Sequence, residues 1–212
     1  MTDKKNLADV ARNRVTAGDP PRTHQSPGRR RWTDVLMHRW PTALGLAVAA
    51  LAAFDLQVDA GFVSSFSALV VLMALVYLGA AALSRRRAAW VVFLAGFAVL
   101  VVLPLPDSGI EPSLVLLVAA LAFLVLGAAR GLLRRPGGLT LQAAGMLGFG
   151  TIALTALYAD LQLGGYLVAA GLIGHGVWDA YHYLRNRVVA RSYAEFCAVL
   201  DLLVGTAILV MV

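Results

Sequence analysis

Residues 62–84 read FVSSFSALVVLMALVYLGAAALS and run directly into Arg85-Arg86-Arg87. No charge interrupts the stretch, and as a helix rising about 1.5 Å per residue it is long enough to cross a hydrocarbon core of about 30 Å. It is one of a series. Apolar runs of similar length lie at 41–59, 62–84, 88–105, 112–133, 139–160, 163–184 and 194–212. They predict an all-α, polytopic bundle of seven transmembrane helices. The breaks are chemically explicit: Asp59 with Gly61, the arginine triplet, Pro104 to Pro112, Arg134-Arg135-Pro136-Gly137-Gly138, Gly164-Gly165, and Arg185 to Arg191.

Composition agrees. Over 212 residues, 59% of side chains are apolar and 14% are charged, with a mean hydropathy of +0.75. That excludes an ordinary soluble domain and a wholly disordered chain. The net charge of +6 does not indicate nucleic-acid binding, because the basic residues sit where a bilayer places them. The single cysteine, Cys197, can form neither an intrachain disulfide nor a cysteine-rich metal site. Arginine outnumbers lysine 16 to 2 among mostly Ala, Leu, Val and Gly, a GC-rich bias that points to a bacterial plasma (inner) membrane.

Residues 1–31 form a separate region, a disordered basic cytoplasmic tail ahead of the transmembrane domain at 32–212. The tail carries eight Lys or Arg against three Asp, ends in Arg29-Arg30-Arg31 and lacks hydrophobic periodicity. Such a segment should lie against anionic lipid headgroups. A secretory signal would have a much shorter charged region and a small-residue cleavage site, so the first helix reads as uncleaved. With the N-terminus inside, the tail, the loops after spans 2, 4 and 6 and the adjoining span ends hold all 18 Lys and Arg. The outer side holds Asp107 and Glu111, with Asp55, Asp59 and Asp160 at span ends. This split predicts an N-in, C-out protein by the positive-inside rule. Trp32, Trp40, Trp90 and Tyr193 fit an interfacial aromatic belt.

A short internal match is also present. Phe54-Asp55-Leu56-Gln57-Val58 resembles Ala159-Asp160-Leu161-Gln162-Leu163, 105 residues later, and Tyr77-Leu78 resembles Tyr183-Leu184. Two readings stand: a parallel 3+1+3 repeat about an axis along the membrane normal, with span 4 as connector, or a chance match between low-complexity apolar segments.

The chemistry concentrates in Gly174-His175-Gly176-Val177-Trp178-Asp179-Ala180-Tyr181-His182-Tyr183. At 100° per residue, His175, Asp179 and His182 fall within about 60° of arc on one helix face, continued by Asn186. An ionisable side chain at the centre of a span costs at least about 2.5 kcal/mol and so needs a partner, water or a purpose. Asp201 on span 7 lies at matching depth, on a side rich in small residues: Ala194, Cys197, Ala198 and Gly205. The expectation is a buried cluster of His175, Asp179, His182 and Asp201 in the cytoplasmic half, with Arg185, Arg187 and Arg191 at its mouth.

Three chemistries fit. Imidazole and carboxylates are ordinary zinc ligands, and His175 with Asp179 at i, i+4 could share one ion with Asp201. His182, about 10 Å along the axis from His175, is too far to join them. A histidine beside a carboxylate in low dielectric can instead act as general acid, general base or proton relay. Or the polar groups simply hydrogen-bond one another, or Trp178 and Tyr181, and fasten spans 6 and 7 together. The metal, if any, and other cofactors stay undetermined at this stage.

Weaker features complete the survey. Thr151, Thr155, Tyr158 and Gln162 form a polar stripe on span 5, which lines a cavity or bonds to its own helix backbone. Asp55 and Asp59 share a face at an outer helix end. Gly127-x-x-x-Gly131 is a helix-packing signal, within the monomer or at a homo-oligomer seam. His24 and His38 read as solvated. The chain has no phosphate-binding Gly-x-x-x-x-Gly-Lys loop, no His-Glu-x-x-His and no lysine in span 7, and the two histidines of span 6 project to one side and so cannot sandwich a haem. The reading that follows is an intramembrane acid–base enzyme acting on a lipid-like substrate, an isoprenoid or phospholipid. His175, Asp179, Asp201 and His182 would be catalytic. Arg185, Arg187, Arg191, Trp178, Tyr158 and Thr155 would bind substrate. The alternatives are a transporter or channel for protons, metal ions or a small solute, and a structural partner subunit.

Overall fold

A computed structural model describes residues 39–54, 58–102, 111–134 and 138–212. The expected basic tail, Trp32, Asp55 and Asp107 lie outside the described residues. Among the described residues seven α-helices follow in order: α1 Trp40–Phe54, α2 Ala60–Leu83, α3 Ala88–Val102, α4 Pro112–Ala129, α5 Leu139–Tyr158, α6 Leu161–Arg185 and α7 Arg191–Met211, with a short 3-10 turn at Leu132–Arg134. Four of them, α2, α4, α5 and α7, are long and apolar enough to cross a membrane. As described, α1 and α3 have 15 residues each, about 22 Å of helix and short of a full crossing. The longest helix, α6 with 25 residues, is less apolar because it carries the histidines and Asp179.

Helix ends are set by local chemistry. Asp59 caps α2 by accepting from the Phe62 N–H at 2.7 Å, and Asp160 caps α6 by accepting from Leu163 N–H at 3.0 Å, each satisfying a backbone donor that the first turn leaves free. Both helices end on a left-handed residue, Ser84 (φ 55°) and Asn186 (φ 47°). These caps correct the sequence register: the equivalent caps Asp59 and Asp160 are offset by 101 positions, whereas the 105-residue match pairs Asp160 with Asp55. Tyr77 is buried and Tyr183 half-buried, so the paired tyrosines do not occupy equivalent places either.

Helix α2 is the centre of the fold. It packs against α3, α4, α5 and α6, while α7 packs between α6 and α1. From Ser67 to Ala80 nearly every α2 residue is buried except Leu69, as expected of a helix apolar on all sides. Large apolar side chains such as Leu51, Phe54, Val118, Leu147 and Val210 face outward instead. Polar Ser67, Gln142, His175, Asp179, His182 and Asp201 are buried. This inverted distribution, with the four long apolar helices, supports a membrane protein.

Two readings of local sequence change. Tyr193 is fully buried, with its ring 5.4 Å from Trp90 and 5.7 Å from Phe93, so it belongs to the core and not to an interfacial belt. The Gly127–Gly131 pair is split: Gly127 receives the Leu139 side chain of α5, whereas Gly131 lies beyond the end of α4 at φ 70°.

Close contact between α6 and α7 depends on glycine. A Cβ on Gly205 would lie 2.8 Å from Ile173 Cγ1 and 3.1 Å from the Ala169 carbonyl oxygen, and one on Gly176 would lie 2.8 Å from Leu202 Cγ. Gly205→Val should therefore destabilise the fold by about 1–3 kcal/mol through overpacking, seen as a lower thermal unfolding temperature in detergent. Gly148→Ala, whose added Cβ meets nothing within 4 Å, should leave that temperature unchanged or slightly higher.

Candidate functional site

Helices α2, α6 and α7 meet around one imidazole. His175 Nδ1 lies 2.9 Å from Asp201 Oδ2 on α7 and 3.0 Å from Asp179 Oδ2 one turn further along α6. The two carboxylates are not equivalent. The contact with Asp201 has hydrogen-bond geometry, while Asp179 Oδ2 is left without a hydrogen-bond partner among the described residues. From the central helix, the Tyr77 hydroxyl donates to Asp179 Oδ1 at 2.5 Å. His175, Asp179 and Asp201 are all fully buried. Asp201 Oδ1 and His175 Nε2 are also without partners among the described residues.

A second polar contact lies one helical turn toward the end of α6. His182 Nδ1–H donates to the Trp178 carbonyl at 2.9 Å, leaving Nε2 to accept from the Gln142 side-chain amide of α5 at 3.1 Å. The two histidines thus share a helix face but not a partner. The Tyr77 ring bridges them, 5.6 Å from the His175 ring and 4.7 Å from that of His182. Phe149 of α5 closes another side, with ring centroids 5.1 Å apart from His175.

The other residues singled out by sequence are spread over the molecule. Arg185, Arg187 and Arg191 are exposed at the α6–α7 turn. The Arg185 guanidinium lies over the Tyr181 ring at 5.6 Å, and that of Arg191 over Tyr183 at 4.9 Å. Trp178 is half-buried against Gly145 of α5. Thr155 and Tyr158 are not brought to the cluster: both are exposed, and Thr155 donates to the carbonyl of Thr151, as Thr151 does to that of Leu147. Sequence reasoning missed Tyr77 and Gln142 as site residues. The one available signal was a lone tyrosine in the otherwise apolar Ala68–Leu83 run, and it was read only as part of a repeat.

Among the described residues, three clefts border α2. A polar one of about 390 Å³ is walled by Ser64, Glu111, Tyr158 and Asp160 at one end of the bundle. Another, of about 220 Å³, is walled by Ser84, Arg86, Leu139 and Val188 at the other end. Between α2, α4 and α5 runs an apolar groove of about 260 Å³, lined by Leu78, Leu124, Met146 and Leu154 among others. His175, Asp179 and Asp201 line none of the three. The arginine-bearing turns are tied together: Arg86 donates to Asn186 Oδ1 at 3.2 Å, Ala190 N–H donates to the Arg86 carbonyl at 3.1 Å, and Arg130 donates to the Ala82 carbonyl at 2.9 Å.

No protein-family model matches the chain, and no curated protein or solved structure matches it. Tyr77→Phe removes the donor to Asp179 Oδ1 and should lower stability by about 1–3 kcal/mol, the cost of leaving a buried acceptor unpaired. Tyr181→Phe, at a half-exposed ring, should not. Equal thermal unfolding temperatures for the two variants would contradict the assigned hydrogen bond.

Proposed function

We propose that this chain is a seven-span protein of a bacterial inner membrane, N-terminus inside, that performs acid–base chemistry on a lipid-like substrate taken from the bilayer. The observation that carries this reading is an imidazole held between two carboxylates one residue layer behind an apolar groove. Leu78 on the groove wall follows Tyr77, which bonds Asp179. Met146 on the same wall lies one turn from Phe149, which packs on His175. An acyl or isoprenoid chain fits the groove chemically, and rotation of Met146 and Phe149 would open a path to the imidazole. His175 would exchange the proton, with Asp201 orienting the ring and stabilising its charged form. Arg185, Arg187 and Arg191 would hold an anionic headgroup at the cytoplasmic surface, and the basic tail would add attraction to anionic lipids.

Orientation is supported by the linked arginine turns at one end of the bundle and by Glu111 and Asp160 at the other. The only cysteine, Cys197, is buried, so introduced thiols can be labelled without background. In intact cells an impermeant maleimide should modify Tyr158→Cys, and should reach Arg187→Cys only after permeabilisation. The opposite pattern overturns the N-in topology.

A second reading, a proton or cation carrier, is favoured by the clefts at both ends of α2, which include Glu111 and Asp160 at one end and Arg86 at the other, and by Ser67, a buried hydroxyl without a partner among the described residues one turn inward of Ser64. The protein reconstituted in nanodiscs with isoprenoid and phospholipid substrates separates the two. Turnover should fall about 10²–10⁴-fold in His175→Gln and several-fold in Met146→Trp, which fills the groove. Absence of turnover together with His175-dependent proton or cation flux in liposomes overturns the enzyme and supports the carrier. Absence of both, with variants affecting stability alone, leaves a cluster that only fastens helices.

A further inference from the structure

We propose that His175 Nδ1, Asp179 Oδ2 and Asp201 Oδ2 are the three protein ligands of one divalent transition-metal ion, zinc being the best chemical fit. It rests on the acid–base reading only for the use made of the ion, and with the ion bound Nδ1 is a ligand, so His175 would no longer exchange the proton itself.

The first argument is geometric. Ligand atoms of the three residues lie within 4.8 Å of one another, and Nδ1 is 2.9 and 3.0 Å from the two carboxylate oxygens. Two ligands each about 2.0–2.2 Å from an ion are about 2.9–3.5 Å apart at angles between 90° and tetrahedral. The two nitrogen–oxygen distances already fall in that range. A shared proton accounts for this convergence less well, because the Asp179 Oδ2 contact at 3.0 Å lacks hydrogen-bond geometry and that oxygen has no other partner among the described residues. A cation placed between that oxygen and the ring nitrogen would satisfy both.

Charge gives the second argument. All three side chains are fully buried, where an uncompensated ion costs several kcal/mol. Two carboxylates and a neutral imidazole carry −2, which a divalent ion cancels. The mixed nitrogen and oxygen donor set favours a first-row transition metal over magnesium or calcium, which prefer oxygen alone. Three protein ligands leave a fourth position open, the pattern of a catalytic and not a structural zinc site. Tyr77 fits the outer shell: by donating to Asp179 Oδ1 it fixes the carboxylate so that Oδ2 faces Nδ1. His182, engaged with Trp178 and Gln142, takes no part.

The test is metal uptake by the purified full-length chain, stripped with chelator and titrated with Zn²⁺ alone and with Co²⁺ alone. The expected result is about one ion per chain, a visible Co²⁺ absorption band, affinity at least tenfold weaker in Asp201→Asn, and affinity about tenfold or more weaker in Tyr77→Phe. Wild-type protein that is helical and monodisperse yet binds neither ion overturns the proposal, as does undiminished affinity in folded Asp201→Asn. If that variant does not fold, wild-type stoichiometry and the Co²⁺ band decide. Lipid turnover measured on the same preparations separates the two proposals. Uptake without turnover removes the enzyme and keeps the metal site, whereas turnover by folded protein that takes up neither ion removes the metal site and keeps the enzyme.

Discussion

Two carboxylates and an imidazole withdrawn from water inside a helix bundle have to satisfy one another, and the packing of this protein is arranged around that requirement. Leaving either Asp179 or Asp201 alone in so apolar a setting would cost several kcal/mol. Their approach to His175 needs α6 and α7 nearer than ordinary side chains permit, which Gly176 and Gly205 allow. It also needs a third helix to occupy the second oxygen of Asp179, which Tyr77 supplies from α2. Removing any of these elements leaves a buried acceptor without a donor. The glycines and the tyrosine are therefore as much part of the centre as the titratable groups.

The same requirement explains why an almost featureless helix sits in the middle. Helix α2 contacts four others and has no polar face to turn toward water, so burial on every side is its only stable placement. A hydroxyl on such a helix can reach a partner only inside the bundle. Tyr77 does so at Asp179, while Ser67 remains without a partner among the described residues.

Helix positions were legible because apolar length and charged breaks are local properties: all seven expected runs begin within about three residues of a helix observed among the described residues. The His175–Asp179–Asp201 grouping was legible for a related reason, since helical periodicity fixes His175 and Asp179 on one face and a short connection places α7 antiparallel beside α6. What could not be read is non-local. Nothing in the α2 sequence says that Tyr77 rather than Tyr183 faces the cluster, because that depends on the rotation of α2 against its four neighbours. Gln142 was hidden likewise, since α5 meets α6 through tertiary packing. The grouping of Thr155 with Tyr158 followed helical spacing alone, and only Tyr158 walls a cleft. In the structure the hydroxyl of Thr155 is satisfied by its own helix, which removes the need to turn it inward.

The position of the centre constrains what could reach it. Water arriving from the arginine end would meet Tyr77, His182 and Gln142, whose rings and hydrogen bonds fill that side of α2. From the opposite end, the polar cleft stops at Val63 and Ser64, and the apolar α2 turns near Val70 and Val71 lie before Tyr77. Toward the bilayer, by contrast, the groove between α4 and α5 reaches Met146, and Phe149 on the next turn already touches the imidazole. Rearranging two side chains there breaks no hydrogen bond, whereas either axial route must disturb a buried polar pair or a packed helix. Approach through the apolar groove thus disturbs the fold least, since it displaces side chains of α5 without breaking a hydrogen bond.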